Sequence, residues 1–146
     1  MYVRRAKLLI QRRDTKQRQL VLDAVRERHD HPTADDIYLT VREKDSRISR
    51  GTVYRNLSLL SDEDEIAHIK VPGADRYDLR TDHHYHMICI KCSKVIDVPI
   101  PYNSEIDDVV GSETGYSVKH HSLIFEGICP ECQDENDNGN ENENDN

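Results

Sequence analysis

The stretch Asp82-His-His-Tyr-His-Met-Ile-Cys-Ile-Lys-Cys92 gathers imidazoles and a carboxylate directly before a Cys-x-x-Cys pair. Tyr85, Met87, Ile88 and Ile90 give it the character of a strand, in which residues two apart share a face, so His84 and His86 can reach one ion. Cys89 and Cys92 would serve a different ion, because thiolates and nitrogen or oxygen donors prefer different metals. A second pair, Cys129-Pro-Glu-Cys132, completes the cysteine complement of four. Two knuckles with no thiol left over suit one tetrahedral structural Zn(II) per subunit, which would close residues 93–128 into a loop. Redox dithiols and disulfides are the competing explanations. A redox motif needs one pair only, and structural disulfides are disfavoured in the cytosol.

Around His84 and His86, the residues His31, Asp78 and Asp97 are available as further donors. Three imidazoles and two carboxylates suit Fe(II) or Mn(II) better than a thiolate site does. Spacing alone does not show that these five converge. His29, His68, His83 and His120 have no firm partner in the sequence and read as solvated or packed.

The elements that must position these groups fall into two halves. Leu20, Val21, Ala24 and Val25 form an apolar helical stripe after Thr15, and Ala34, Ile37, Tyr38 and Val41 form a second. Thr33 is placed to cap the second helix, with Asp35 and Asp36 in its first turn. Ser49 is placed to cap a third, in which Val53, Leu57 and Leu60 would be buried while Arg50, Thr52, Tyr54, Arg55 and Asn56 stay outside. Residues 66–71 and 76–79 alternate around Pro72-Gly-Ala-Asp75 and predict a hairpin. Three helices and a two-stranded wing make a winged helix-turn-helix, whose third helix would enter a major groove. Beyond it, strands are expected over 95–98 and 117–125, with a short helix over 104–110. The fold class is thus α+β: a winged-helix DNA-binding domain over 1–74, a small α/β dimerisation and metal-binding domain over 75–132, and a disordered acidic tail over 133–146.

A net charge of −8 opposes nucleic-acid binding until it is divided along the chain. Residues 1–70 carry fifteen Lys and Arg against twelve Asp and Glu, whereas residues 133–146 carry six acids and no base. The excess is concentrated in Arg4, Arg5, Lys7, Arg12, Arg13, Lys16, Arg18, Arg26 and Arg28, which could meet phosphates or simply form a solvated helix face. No run of about 18 apolar residues offers a membrane span, and the start lacks a signal-peptide pattern, so a cytoplasmic location is expected.

His31-Pro-Thr-Ala-Asp-Asp-Ile-Tyr38, Gly51-Thr-Val-Tyr-Arg-Asn-Leu57, Arg76-Tyr-Asp78, His84-Tyr-His-Met-Ile-Cys-Ile-Lys-Cys92 and Cys129-Pro-Glu-Cys132, in this order, resemble the ferric uptake regulator family. Within it the chain is most similar to the peroxide-responsive repressor branch. That resemblance implies a homodimer that binds a palindromic operator in double-stranded DNA, with Arg13, Arg18, Arg50, Thr52, Tyr54, Arg55 and Asn56 as contacts. It implies zinc on the four cysteines and one regulatory Fe(II) or Mn(II) per subunit on His31, Asp78, His84, His86 and Asp97. It implies that His31 or His84 is oxidised by peroxide when iron is bound, with release of DNA. An iron- or manganese-responsive repressor without peroxide sensing is the alternative. Asp97 stands where iron-uptake regulators usually carry glutamate, and Tyr85 where many carry an acid of an extra metal site, although His83, Glu105 and His121 remain near that site. Enzymatic turnover is not expected: a zinc hydrolase needs an open coordination position and a dithiol oxidoreductase a low-pKa thiol, and four cysteines in paired knuckles argue against both.

Overall fold

The computed structural model describes residues 15–137. Residues 15–26 form helix α1, followed by α2 (Ala34–Lys44), α3 (Arg50–Asp62) and the strands β1 (Ala67–Ile69) and β2 (Arg76–Asp78). Both inner helices begin where the sequence offers a side chain for the free amides of the first turn. At α2 the Asp36 N–H donates to Thr33 Oγ1 (3.1 Å), while Asp36 Oδ2 accepts from the Thr33 N–H (2.9 Å), a reciprocal capping box. At α3 the Ser49 hydroxyl accepts from the Thr52 N–H at 3.2 Å.

The apolar stripes of these helices make one core. Val21, Val25, Ile37, Val41, Val53, Leu57 and Leu60 are wholly buried, with Ile66 and Tyr77 of the hairpin region beside them. β1 and β2 pair antiparallel with Ala67 opposite Asp78 and Ile69 opposite Arg76. The Tyr77 N–H donates to the Pro32 carbonyl at 2.9 Å, which ties the wing to the approach of α2. This pairing moves the domain boundary. The chain divides between Thr81 and Asp82, after the wing, instead of at residue 74, because β2 is bonded to β1 and packs Tyr77 into the helical core.

The second unit contains β3 (Tyr85–Cys89), β4 (Val95–Val98), α4 (Glu105–Thr114), β5 (Ile124–Gly127) and α5 (Pro130–Asp137). Its sheet runs β4-β3-β5, with β3 antiparallel to β4 and parallel to β5. Two elements differ from expectation. The strand predicted over 117–125 exists only as β5, since parallel pairing starts where Ile124 meets His86, and β3 itself starts one residue earlier. The helix predicted over 104–110 continues to Thr114 and stops at Gly115, whose φ of 75° suits glycine.

The tail predicted as disordered from residue 133 begins instead as part of α5, which starts with Pro130 at its first helical position. The Gln133 N–H bonds the Cys129 carbonyl at 3.0 Å, so the cysteine pair itself nucleates this helix. Residues 138–146 lie outside the described residues. Among the described residues, no helix is long and apolar enough to cross a membrane.

Leu57 and Leu59 offer a direct test of the α3 face, the first wholly buried and the second 44% exposed. Leu57→Ala should lower the urea-unfolding free energy of the first unit by about 2–5 kcal/mol. Leu59→Ala should change it by about 0.5 kcal/mol or less.

Candidate metal centres and nucleic-acid interface

The parallel register of β3 and β5 sets the cysteine cluster. Cys89 lies opposite Gly127, and the Ile90 N–H donates to the Gly127 carbonyl at 2.8 Å, which brings the chain at Cys129 alongside the first knuckle. The first knuckle turns back through Ser93, at φ 63°, with the Ser93 N–H bonded to the Cys89 carbonyl (2.9 Å). One ligand atom from each of Cys89, Cys92, Cys129 and Cys132 lies within 4.8 Å of the others. The Cys92 and Cys129 sulfurs are 3.8 Å apart. That matches the edge of a tetrahedron with metal–sulfur bonds of about 2.3 Å, so the donor set fits zinc.

The electrostatics of the cluster point the same way. Backbone N–H groups of Cys129 and Cys92 hold the Cys89 thiol down to about 6, the Cys129 amide reaching its sulfur at 3.3 Å. Hydrogen bonding with Cys129 and burial push Cys132 up to about 12. Four sulfurs in one shell cannot all ionise alone, and a divalent cation resolves the conflict.

The nitrogen and oxygen donors lie in both units. In the first, His31 is 8% exposed and adopts φ 52°, a left-handed conformation uncommon for a residue with a Cβ. Its carbonyl accepts from Arg76 Nη1 (3.1 Å), and its Nε2 is 3.4 Å from Asp78 Oδ2. Here the capped start of α2 and the wing strand β2 bring together residues 47 positions apart in sequence. In the second unit, the antiparallel register places Asp97 opposite His86. Asp97 Oδ1 lies 3.0 Å from His84 Nε2 and 3.3 Å from His86 Nε2, and the two rings are 4.4 Å apart.

The tautomer of His84 follows from its other nitrogen. Nδ1 sits 2.7 Å from the Asp82 carbonyl, which can only accept, so Nδ1 carries the proton. Nε2 of the neutral ring is then a lone pair facing a carboxylate. A proton or a metal ion at that nitrogen makes the arrangement favourable, and a backbone-fixed tautomer is how ligating histidines are oriented.

The donors near the possible extra metal site are arranged differently from what the sequence suggests. His121 Nδ1 bonds Asp107 Oδ1 at 2.8 Å and its Nε2 bonds the Tyr85 hydroxyl at 2.8 Å, while Glu105 is exposed. Tyr85 Oη in turn accepts from the Asn103 N–H (2.8 Å), and the Tyr102 hydroxyl donates to Asp107 and accepts from the His121 N–H (3.0 Å). Both imidazole nitrogens are thereby used. Among the described residues, His83, Glu105 and His121 do not converge as a ligand set. Asp107 and Tyr102 were not singled out by sequence, because nothing in their spacing links α4 to the segment before β5.

The expected DNA-contacting residues separate into several groups. Arg55 is exposed on α3; Tyr54 and Arg50 are exposed and bonded to Asp35. Thr52 is half-buried, its hydroxyl 2.9 Å from that of Ser49. Asn56 is a correction to the expected outer face. It is 6% exposed and donates to the Thr52 carbonyl at 2.9 Å, since it shares the buried i, i+3, i+4, i+7 stripe with Val53, Leu57 and Leu60. Arg18 is engaged internally, paired with Glu63 and with Glu65 (3.0 Å). Arg13 lies outside the described residues.

Two tests follow from this geometry. Cys89→Ser or Cys132→Ser should abolish stoichiometric zinc in metal analysis and loosen the second unit in hydrogen exchange, because metal binding contributes folding free energy. For Asp107, donation from Tyr102 and then from His121 holds the carboxyl below its usual range. A depressed carboxylate contributes stability above its unfolded-state pKa, and that contribution is lost as pH falls through the folded value. Asp107→Asn should therefore be less stable than the parent at neutral pH in urea unfolding, and the difference should shrink as the solution is acidified below the usual carboxylate range.

The ferric uptake regulator family pattern matches residues 10–126. The peroxide-responsive repressor PerR of Staphylococcus epidermidis is 36% identical over 124 residues, spanning 84% of this chain and 83% of that protein. Among solved structures, the Campylobacter jejuni peroxide stress regulator superposes with a TM-score of 0.72 at 26% identity, covering 90% of this chain and all of that one. The Helicobacter pylori ferric uptake regulator Fur, described with three functional metal-binding sites, gives 0.70 at 26% identity and covers 90% and 91%. The match spans both the helical amino-terminal unit and most of the α/β unit, and the chain belongs to the ferric uptake regulator family.

Proposed function

We propose that this protein is a dimeric, metal-dependent transcriptional repressor that senses peroxide. The observation that carries the proposal is the pair of imidazoles, His84 and His86, aimed at one oxygen of Asp97, beside a separate cluster of four thiols. The thiol cluster is suited to permanent zinc, and the nitrogen and oxygen donors to an exchangeable Fe(II) or Mn(II). Resemblance to the peroxide-responsive branch adds His31 and Asp78 as the remaining ligands of the regulatory ion. His31 precedes α2, so its coordination would couple metal occupancy to the DNA-binding unit. Ferrous iron held by these residues would supply the electrons that cleave peroxide, and His31 or His84 would be the imidazole oxidised. An oxidised ring binds metal poorly, so the repressor lets go of a palindromic operator. The exposed side of α3, with Arg50, Tyr54 and Arg55, is the surface offered to DNA.

Operator binding by zinc-loaded protein, supplied with Fe(II) or Mn(II) and then peroxide, decides the matter. The Fe(II) form should lose affinity and gain one oxygen atom on the peptide containing His31 or His84, while the Mn(II) form should keep binding. Loss of binding only on metal removal, with no oxidised histidine by mass spectrometry, would leave a repressor that reports metal occupancy alone. His86→Ala should remove the regulatory ion but keep zinc. Arg55→Ala should weaken operator binding and leave both metals in place.

A further inference from the structure

Two acids occupy the first turn of α2, and they do different work. Asp36 is consumed by the capping box with Thr33, whereas Asp35 reaches across to α3. A single oxygen of Asp35, Oδ1, accepts from Arg50 Nη1 and from the Tyr54 hydroxyl at 3.1 Å. Arg50 is also held from another side, its guanidinium carbon 4.6 Å from the centre of the Tyr38 ring. Arg50 and Tyr54 are four residues apart on α3, so they share the face on which both are exposed.

Stability does not account for this cluster. The Asp35 and Arg50 side chains are 59% and 58% exposed, and water screens such a pair until it contributes little. A carboxylate on a surface that docks against a polyanion is moreover unfavourable, since it repels every phosphate whatever the base sequence. Its presence there calls for a compensating gain in recognition.

Resting on the DNA-binding reading above, we propose that Asp35 is a positioning residue that sets operator specificity, by occupying Arg50 and orienting Tyr54 so that base edges and not phosphates gain from them. A guanidinium has five N–H donors, and Asp35 uses only one. The rest can meet uncharged acceptors such as guanine O6 and N7 without displacing the carboxylate. A phosphate that takes Arg50 must instead stand beside the Asp35 charge or expel it. Sequence-independent binding is thereby weakened, while the phenol and guanidinium are presented in one fixed arrangement.

Two substitutions separate charge from hydrogen bonding. Asp35→Ala removes both, and Asp35→Asn keeps an acceptor oxygen for Tyr54 and Arg50. Full-length zinc- and Mn(II)-loaded protein is titrated with an operator selected from a random duplex pool, and with random duplex, over a salt series. In Asp35→Ala the ratio of operator to random affinity should fall about tenfold, within the range one good base contact discriminates. The salt slope on random duplex should steepen by about 0.9, one additional phosphate contact. Asp35→Asn should steepen the slope equally but recover most of the ratio. An unchanged ratio in Asp35→Ala, or an equal fall in both variants, overturns the inference.

A measurement without DNA keeps this apart from the repressor reading. Burial and then the Asp35 carboxylate hold the Tyr54 phenol above its usual range. In carbon-13 tyrosine spectra its titration should move down in both variants, and an unmoved Tyr54 overturns the inference alone. A parent protein with no preference for any duplex overturns the repressor reading, and the inference with it.

Discussion

β3 is bonded along both edges, and the two pairings divide the chemistry of the second unit between them. The antiparallel pairing with β4 sets Asp97 across from His86, so a carboxylate meets imidazoles that come from a single short run of chain. The parallel pairing with β5 sets Gly127 across from Cys89, so the second cysteine pair arrives beside the first. A slip of one residue in either register would turn the partner side chain to the opposite face of the sheet. Strand alternation also sends Tyr85, which lies between the two histidines, to a different set of partners, His121 and Asn103. The six residues from His84 to Cys89 thus separate three functions: imidazole donors, a hydrogen-bonded support, and the first thiol.

The thiol cluster and the imidazole pair differ in how much the protein alone can satisfy. In the thiol cluster, amide donors favour ionisation of Cys89, while neighbouring sulfurs and burial oppose it at Cys132. A divalent cation among the four sulfurs would offset their repulsion and let all of them ionise together. At His84 the Asp82 carbonyl fixes which nitrogen is available, so coordination there needs no tautomer change. The thiol cluster and the imidazole pair share a strand but no ligand, so the two donor sets can select different ions.

In the first unit, counting charges is a poor guide to the field at its surface. Arg18, Arg28, Lys44 and Arg50 each hold an acid close by: Glu63 and Glu65, Asp30, Glu27, and Asp35. These pairs are exposed and individually weak, but they lower the field that a phosphate backbone would meet.

The sequence alone determined what depends on short spacing. Two Cys-x-x-Cys pairs announce a four-thiol site because each knuckle is local, and Thr33, Asp36 and Ser49 announce helix starts because a cap spans only three residues. Periodicity also carried information about Asn56: it stands three before Leu59 but, more tellingly, three after Val53 and four before Leu60, on the buried stripe. Its amide suggested a surface role that this spacing contradicts. What the tertiary structure decided was register and reach. The order β4-β3-β5, the approach of Asp97 to His84 and His86, the binding of His121 by Tyr85 and Asp107, and the bridge from Asp35 to Arg50 and Tyr54 all join elements separated by turns and loops. Spacing along a chain fixes which side chains share a face of one element, whereas partners across elements are chosen by packing and by backbone hydrogen bonds formed after the chain has turned back on itself.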